Sequence, residues 1–252
     1  MTAVPALSAP ETDTTRTWRH VLSVIVRDPL SLASTIIIVV FVLMAVFAMQ
    51  VAPYPDEGAG KTHAANTLLA PSPEHIFGTD KLGRDVLSRI IVGARAALMI
   101  PIGVVLFAVL IGTPLGALAG YKGGWLDEVI MRITDLFLAF PSLLLAMAIA
   151  SALGRGLDKA ALALVVSWWP WYTRIARGVA IGLKERYFVE AAQAIGVRDS
   201  VIILRHILPN TISPILVQAT VDLGTVILAM GGLAFLGLGT QPPAPDWGLM
   251  VS

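Results

Sequence analysis

The 252-residue sequence has no cysteine and little charge. Without cysteine there is no disulfide, no zinc finger and no thiol nucleophile, although the compartment stays open. Charged residues make up 14% of the chain, against about 25% in an ordinary soluble domain. The 18 Lys and Arg nearly balance the 17 Asp and Glu for a net charge of +1. No basic run accompanies them, so no nucleic-acid partner is indicated. The four histidines do not form a metal site: His63 and His75 are twelve apart, His20 and His206 are isolated, and no His-x-x-x-His or His-Glu pair occurs. There is no serine nucleophile elbow, no pair of acids within an apolar run and no repeat of fixed period. Hydrolase, metalloprotein and solenoid classes are thereby disfavoured.

What the chain does have is apolar length. Hydrophobic residues reach 56% and mean hydropathy is +0.77, so most of the chain belongs in lipid. The opening MTAVPALSAPETDTTRTW lacks the positive start and apolar run of a secretory signal, which makes the first apolar segment an uncleaved anchor. Charge-free runs cover Leu30–Pro55, Ala96–Tyr121 and Leu136–Gly154, each close to or above the ~20 residues one crossing needs. A fourth run, Ala160–Thr173, has only 14 residues, or ~21 Å as a helix. It spans only if Arg155, Lys159 and Arg174 snorkel at its ends. The fifth, Ile207–Thr240, is broken in charge only by Asp222. The expectation is an all-α, polytopic membrane helix bundle with five crossings.

With the N-terminus inside, the inner segments 1–29, 122–135 and 174–206 hold eleven Lys and Arg and the outer ones seven. The bias favours a cytoplasmic N-terminus. Residues 1–29 then form an inner tail, in which Trp18, Val21, Leu22 and Ile25 with Arg19 and Arg27 suggest a helix lying on the membrane surface. Residues 30–252 form the membrane domain. In this frame the cluster Trp168-Trp169-Pro170-Trp171-Tyr172 belongs at the inner interface, where amphipathic rings gather.

Gly60-Lys61-Thr62 ends like a phosphate-binding loop. Such a loop needs a first glycine five residues before the second, and here that place is Pro55, whose fixed φ cannot make the turn. It also follows an apolar span rather than a strand. The chain itself is not expected to bind ATP.

The largest inner segment, 174–209, is the most informative. Tyr187, Phe188, Ala191, Ala192 and Ile195 share one helical face. Gly196 stands where a C′ glycine stops a helix, Asp199 or Ser200 can cap a second one, and Pro209 bends or ends that. Small Ala191 and Ala192 allow close approach to another surface, and Glu190 and Arg198 offer charge anchors. A plainer alternative is an amphipathic helix packed on its own bundle. Gly112, Gly116 and Gly120 form a small-xxx-small ridge that lets helices approach, within the chain or across to a partner. Pro101, Pro114, Pro141, Pro170 and Pro214 mark kinks.

Glu190-Ala191-Ala192, Gly196 and Leu208-Pro209 together resemble the EAA loop of ABC-importer permeases, with His206 where the generic pattern has isoleucine. HIFGTDKLGRDVLSRIIVGAR (His75–Arg95), FLAFPSLLLA (Phe137–Ala146), RHILPN and GLAFLGLGTQPPAPDWG resemble the C-type subunit of the dipeptide/oligopeptide/nickel subgroup. Read bottom-up, His75–Arg95 is otherwise a surface helix capped by Thr79 or Asp80. The resemblance implies a permease fold of six helices, two such subunits forming the pore, two cytoplasmic ATPases carrying ATP and Mg, and a solute-binding protein. It implies residence in a bacterial or archaeal cytoplasmic membrane. It also implies ATPase coupling through Glu190, Ala191, Ala192, Gly196, Arg198, Leu208 and Pro209, with no cofactor and no catalytic residue in this chain. The family continues into another apolar helix after Gly248. A sequence stopping at Ser252 reads either as truncated, the favoured alternative, or as ending outside after five crossings.

The cargo implied is a di- or oligopeptide, with nickel or glutathione as alternatives; an ion-coupled carrier using Asp222 and a pure assembly subunit are the readings from other classes. A carboxylate at Asp222 costs about 2.5–3.5 kcal/mol or more in mid-span. It is either a pathway contact for substrate or a hydrogen-bonded acid at the contact with the partner permease. Asp135, at a span end, reads as interfacial.

Overall fold

The computed structural model describes residue 23 and residues 25–251. The surface helix expected around Trp18, Val21 and Leu22 therefore lies outside the described residues. The regular elements among the described residues are all helices, joined by turns and loops, with one isolated bridge between Thr79 and Asp85.

The first helix, α1 (Pro29–Val46), starts where Asp28 accepts a hydrogen bond from the Ser31 amide at 2.9 Å and Pro29 opens the first turn. It is apolar all round and almost wholly exposed, as a lipid-facing span must be. Only its end touches the bundle: Ala45 is buried, the short α2 (Ala48–Val51) continues the line, and Ala48 and Ala52 pack on Ile91. Phe41 also meets the Trp247 ring edge-on at 5.9 Å. A loop with the short α3 (Pro55–Ala59) follows.

The axis of the fold is α4 (Val86–Lys122) against α7 (Leu157–Lys184). Their seam is the glycine ridge. A Cβ added at Gly112 would lie 2.8 Å from Tyr172 Cβ, at Gly116 2.9 Å from Ala176 Cβ, and at Gly120 2.8 Å from Ala180 Cβ. The carbonyls of Trp169, Thr173 and Arg177 crowd the same three positions. Three small residues on one helix thus face a four-residue rhythm on the other, so the backbones touch. The ridge works inside the subunit. Pro101, Pro114 and Pro170 are carried within these helices without breaking them.

The expected crossing Leu136–Gly154 is two helices. Here α5 (Gly124–Leu138) and α6 (Ser142–Leu153) meet at 85° across the Pro141 break. Proline disfavours helical conformation in the residue before it, which ends α5 at this place. The short run Ala160–Thr173 is, by contrast, the middle of the 28-residue α7, ~42 Å long. Its C-terminal end needs no snorkelling. Arg174 pairs with Asp135 at 2.5 Å, and Arg177 grips Asp127 through two bonds of 2.5 and 2.6 Å, both on α5. Asp135 is thus a partner of α7.

The chain then runs through α8 (Tyr187–Ala194), α9 (Asp199–Ile202), a π turn (Ile203–Ile207) and α10 (Leu208–Phe235), to α11 (Trp247–Val251). By length and composition three segments can cross a membrane: α1, α4 and the continuous stretch Asp199–Phe235. The bent α5–α6 pair makes a fourth. The fourth expected crossing, α7, is long enough, but it is not among the segments apolar enough to cross; its buried residues, such as Leu164, Trp168 and Tyr172, form the middle of the hydrophobic core. Its aromatic cluster is divided between the core and the surface. Trp168 and Tyr172 are core residues and Trp169 packs on Phe137, leaving Trp171 outermost.

Candidate coupling surface and a buried carboxylate

The residues from Tyr187 to Pro209 form a compact handle at the C-terminal end of α4 and α7. Helix α8 stops as its glycine dictates. Gly196 has φ +78°, its amide reaches the Gln193 carbonyl at 2.9 Å, and the Val197 amide reaches Ala192 at 3.0 Å. This is a left-handed C′ closure, and nothing lies within 4 Å of an added Cβ. The backbone angle alone requires glycine here.

The face on which α8 packs is not the expected one. Val189 and Ala192 are buried against Ala117, Tyr121, Ala180, Ile202 and Ile207. Tyr187 and Ile195 are 89% and 81% exposed, and Phe188 and Ala191 also face out. A helix packed only on its own bundle would do the reverse. Glu190 and Arg198 are exposed as well, and among the described residues neither has an ion-pair partner.

The second helix is capped differently from expectation. Arg198 takes the N-cap place, and Asp199, inside the helix, accepts from Tyr121 Oη at 2.9 Å and pairs with Lys122 Nζ. Gln193 Nε2 donates to the same Tyr121 hydroxyl at 3.1 Å. Sequence reasoning missed Tyr121, which looked like the last residue of an apolar run. Leu208 and Pro209 open α10 and do not end it. The irregularity falls one turn earlier, in the π turn, because Pro209 has no N–H to give the Arg205 carbonyl.

Asp222 is buried in α10, where Tyr172 Oη of α7 donates to Oδ2 at 2.7 Å and Gln218 Nε2 donates to Oδ1 at 2.9 Å. Both oxygens are held within the chain, so the carboxylate links α7 to α10. The Thr79/Asp80 cap is also placed elsewhere: Asp85 caps α4, accepting from the Ser88 amide at 2.7 Å. Asp85 also accepts from His75 Nδ1 at 3.0 Å, and its own amide donates to Glu57. Asp80 instead holds Arg84 at 2.7 Å. Burial pushes the Asp80 carboxyl up, but Arg84 and the Leu82 and Arg84 amides outweigh it and hold the group below its ordinary value. Gly60-Lys61-Thr62 is no phosphate cradle: Gly60 ends α3 at φ +126° against Pro243, and Lys61 pairs with Asp56.

Residues 112–252 match the family described as binding-protein-dependent transport system inner membrane component, and residues 16–71 match the N-terminal transmembrane domain of oligopeptide transport permease C. The chain belongs to this permease family. A dipeptide transport system permease protein from Alkalihalophilus pseudofirmus is 43% identical over 254 residues, covering 100% of this chain and 83% of the relative. A glutathione transport system permease protein from Escherichia coli is 40% identical over 251 residues, covering 99% and 82%. The permease fold also recurs in an inward-facing methionine ABC transporter. There the TM-score is 0.51 at 23% identity, over 58% of this chain and 74% of that one. The protein is a multi-pass membrane permease of the ABC-importer type.

Proposed function

We propose that this permease is one half of the pore of an ATP-driven importer of di- or oligopeptides, switched by cytoplasmic ATPases that grip the handle from Tyr187 to Pro209. The observation that carries the reading is the outward apolar face of α8. Tyr187, Phe188, Ala191 and Ile195 lie open beside the unpaired charges of Glu190 and Arg198. An exposed apolar patch rimmed by charge fits a protein partner. The partners implied are a second permease subunit, two ATPases that hold ATP and Mg, and a solute-binding protein, with the N-terminus cytoplasmic. Peptide cargo rests on the dipeptide-permease relative, and glutathione, itself a small peptide, on the second relative. An ion-coupled carrier built on Asp222 finds less support, since both carboxylate oxygens already have partners.

The test is uptake of a labelled dipeptide by cells carrying Gly196→Pro or Glu190→Lys. Proline cannot adopt φ +78°, and lysine reverses the charge on the docking face. Both variants are expected to abolish uptake while the subunit stays in the membrane. Uptake unchanged in both would sink the coupling role.

A further inference from the structure

Besides its two-residue chain connection to α7, the handle is held to the bundle in two unlike ways. On one side both of its helices are tied to a single side chain, Tyr121, which is 3% exposed. Its hydroxyl accepts from Gln193 of α8 and donates to Asp199 of α9, so its capacity to donate and accept is shared between the two arms. Lys122 pairs with the other oxygen of Asp199. Tyr121 follows Gly120 directly, and Gly120 is pressed onto Arg177 and Ala180 of α7. Whatever pulls on Tyr121 therefore pulls on two helices locked backbone to backbone.

On the other side the handle joins α10 through the π turn Ile203–Ile207. A π turn carries one extra residue in the helical ladder and is a place where register can change. Pro209 just beyond it leaves the Arg205 carbonyl without its usual amide partner. This link carries a change of helical register, whereas the Tyr121 link is a set of side-chain hydrogen bonds onto the end of α4.

We infer that Tyr121, with Gln193 and Asp199, is a positioning clasp that relays movement of the handle to α4 and α7, while α10 follows through the π turn. The inference rests on the coupling reading given above. Relay through packed and hydrogen-bonded groups requires that the handle and the helix end move together, and the clasp is the polar contact that makes them do so.

The experiment uses the full permease assembled with its partner permease and ATPases in lipid nanodiscs. Amide hydrogen exchange is compared without nucleotide and with ATP plus vanadate. Two segments are followed: the handle, 187–202, and the end of α4, 115–122. In the unaltered complex both segments are expected to change protection. In Tyr121→Phe, which keeps the ring and removes the hydroxyl, the handle still responds. The response at 115–122 falls about fivefold or more, the low end of measured coupling factors. Gln193→Leu, at an exposed position, gives the same split without touching the core. Asp199→Asn keeps an acceptor oxygen for Tyr121 and retains the relay. A full response at 115–122 in both Tyr121→Phe and Gln193→Leu overturns the clasp and leaves the coupling reading standing. A handle that does not respond in the unaltered complex overturns the coupling reading itself, and the clasp with it.

Discussion

The seam between α4 and α7 and the handle made by α8 and α9 are neighbours built on opposite principles. In the seam, three glycines admit the backbone of α7 so closely that no Cβ fits. In the handle, Gly196 has nothing within 4 Å of an added Cβ, and Tyr187, Phe188 and Ile195 of α8 point away from the protein. The first arrangement gains its energy from close packing and cannot be adjusted without loss. The second leaves apolar area uncovered, which the proposed function gives to a partner. A transporter needs both, a rigid body to move and a surface to move it by.

The sharpest way to break that contrast is to place one side chain on each kind of glycine. Gly116→Val forces a branched side chain into the Thr173 carbonyl and Ala176, against contacts that are already complete. Overpacking of this sort costs about 1–3 kcal/mol and at times more. The expected result is loss of folded subunit from detergent extracts by size-exclusion chromatography. Gly103→Ala, in the same helix but with open space around it, is the control. If Gly116→Val extracts as well as Gly103→Ala, the seam is not a rigid element.

Much of this contrast could be read from the residues. The spacing of Gly112, Gly116 and Gly120 announced a close approach, and Gly196 announced a helix stop, because glycine's physical advantage is local. Which helix the ridge met was not legible, since α7 looked too short to span. Its continuation depends on Asp127 and Asp135, about forty to fifty residues earlier, neutralising Arg177 and Arg174. Long-range pairing of that kind leaves no mark in a window of sequence. The same limit hid Tyr121, whose value comes from Gln193 and Asp199 folding back onto it. It also hid the packing of α8, because apolar residues left exposed have the same periodicity as those packed in the core.

Asp222 tests whether the polar contacts between α7 and α10 behave like the seam or like the handle. Asp222→Leu leaves the buried Tyr172 hydroxyl without its acceptor and frees the Gln218 amide. An orphaned buried group costs about 1–3 kcal/mol. A melting midpoint lowered by several degrees is expected for the extracted subunit. Asp222→Asn retains one carbonyl oxygen to accept from Tyr172 and is expected to lose much less and to keep transport. Abolished uptake in a stably folded Asp222→Asn would instead point to the carboxylate charge as part of the transport path.

The smallest structural effect is expected where the functional effect is large. Ile195→Ser sits 81% exposed at the end of α8. Exposed substitutions away from special features usually shift stability by no more than about 0.5 kcal/mol. The extracted subunit should therefore melt like the unaltered one, while the amount of ATPase recovered with it falls. A buried anchor in a protein interface is the kind of residue whose loss weakens binding most, and Ile195 becomes buried only if the partner covers it. The pairing of unchanged melting with lost recovery is what distinguishes a surface held in reserve from one that is merely exposed. If recovery of the ATPase does not change either, Ile195 lies outside the contact, and the docking face narrows to Tyr187, Phe188 and Glu190 at the other end of the helix.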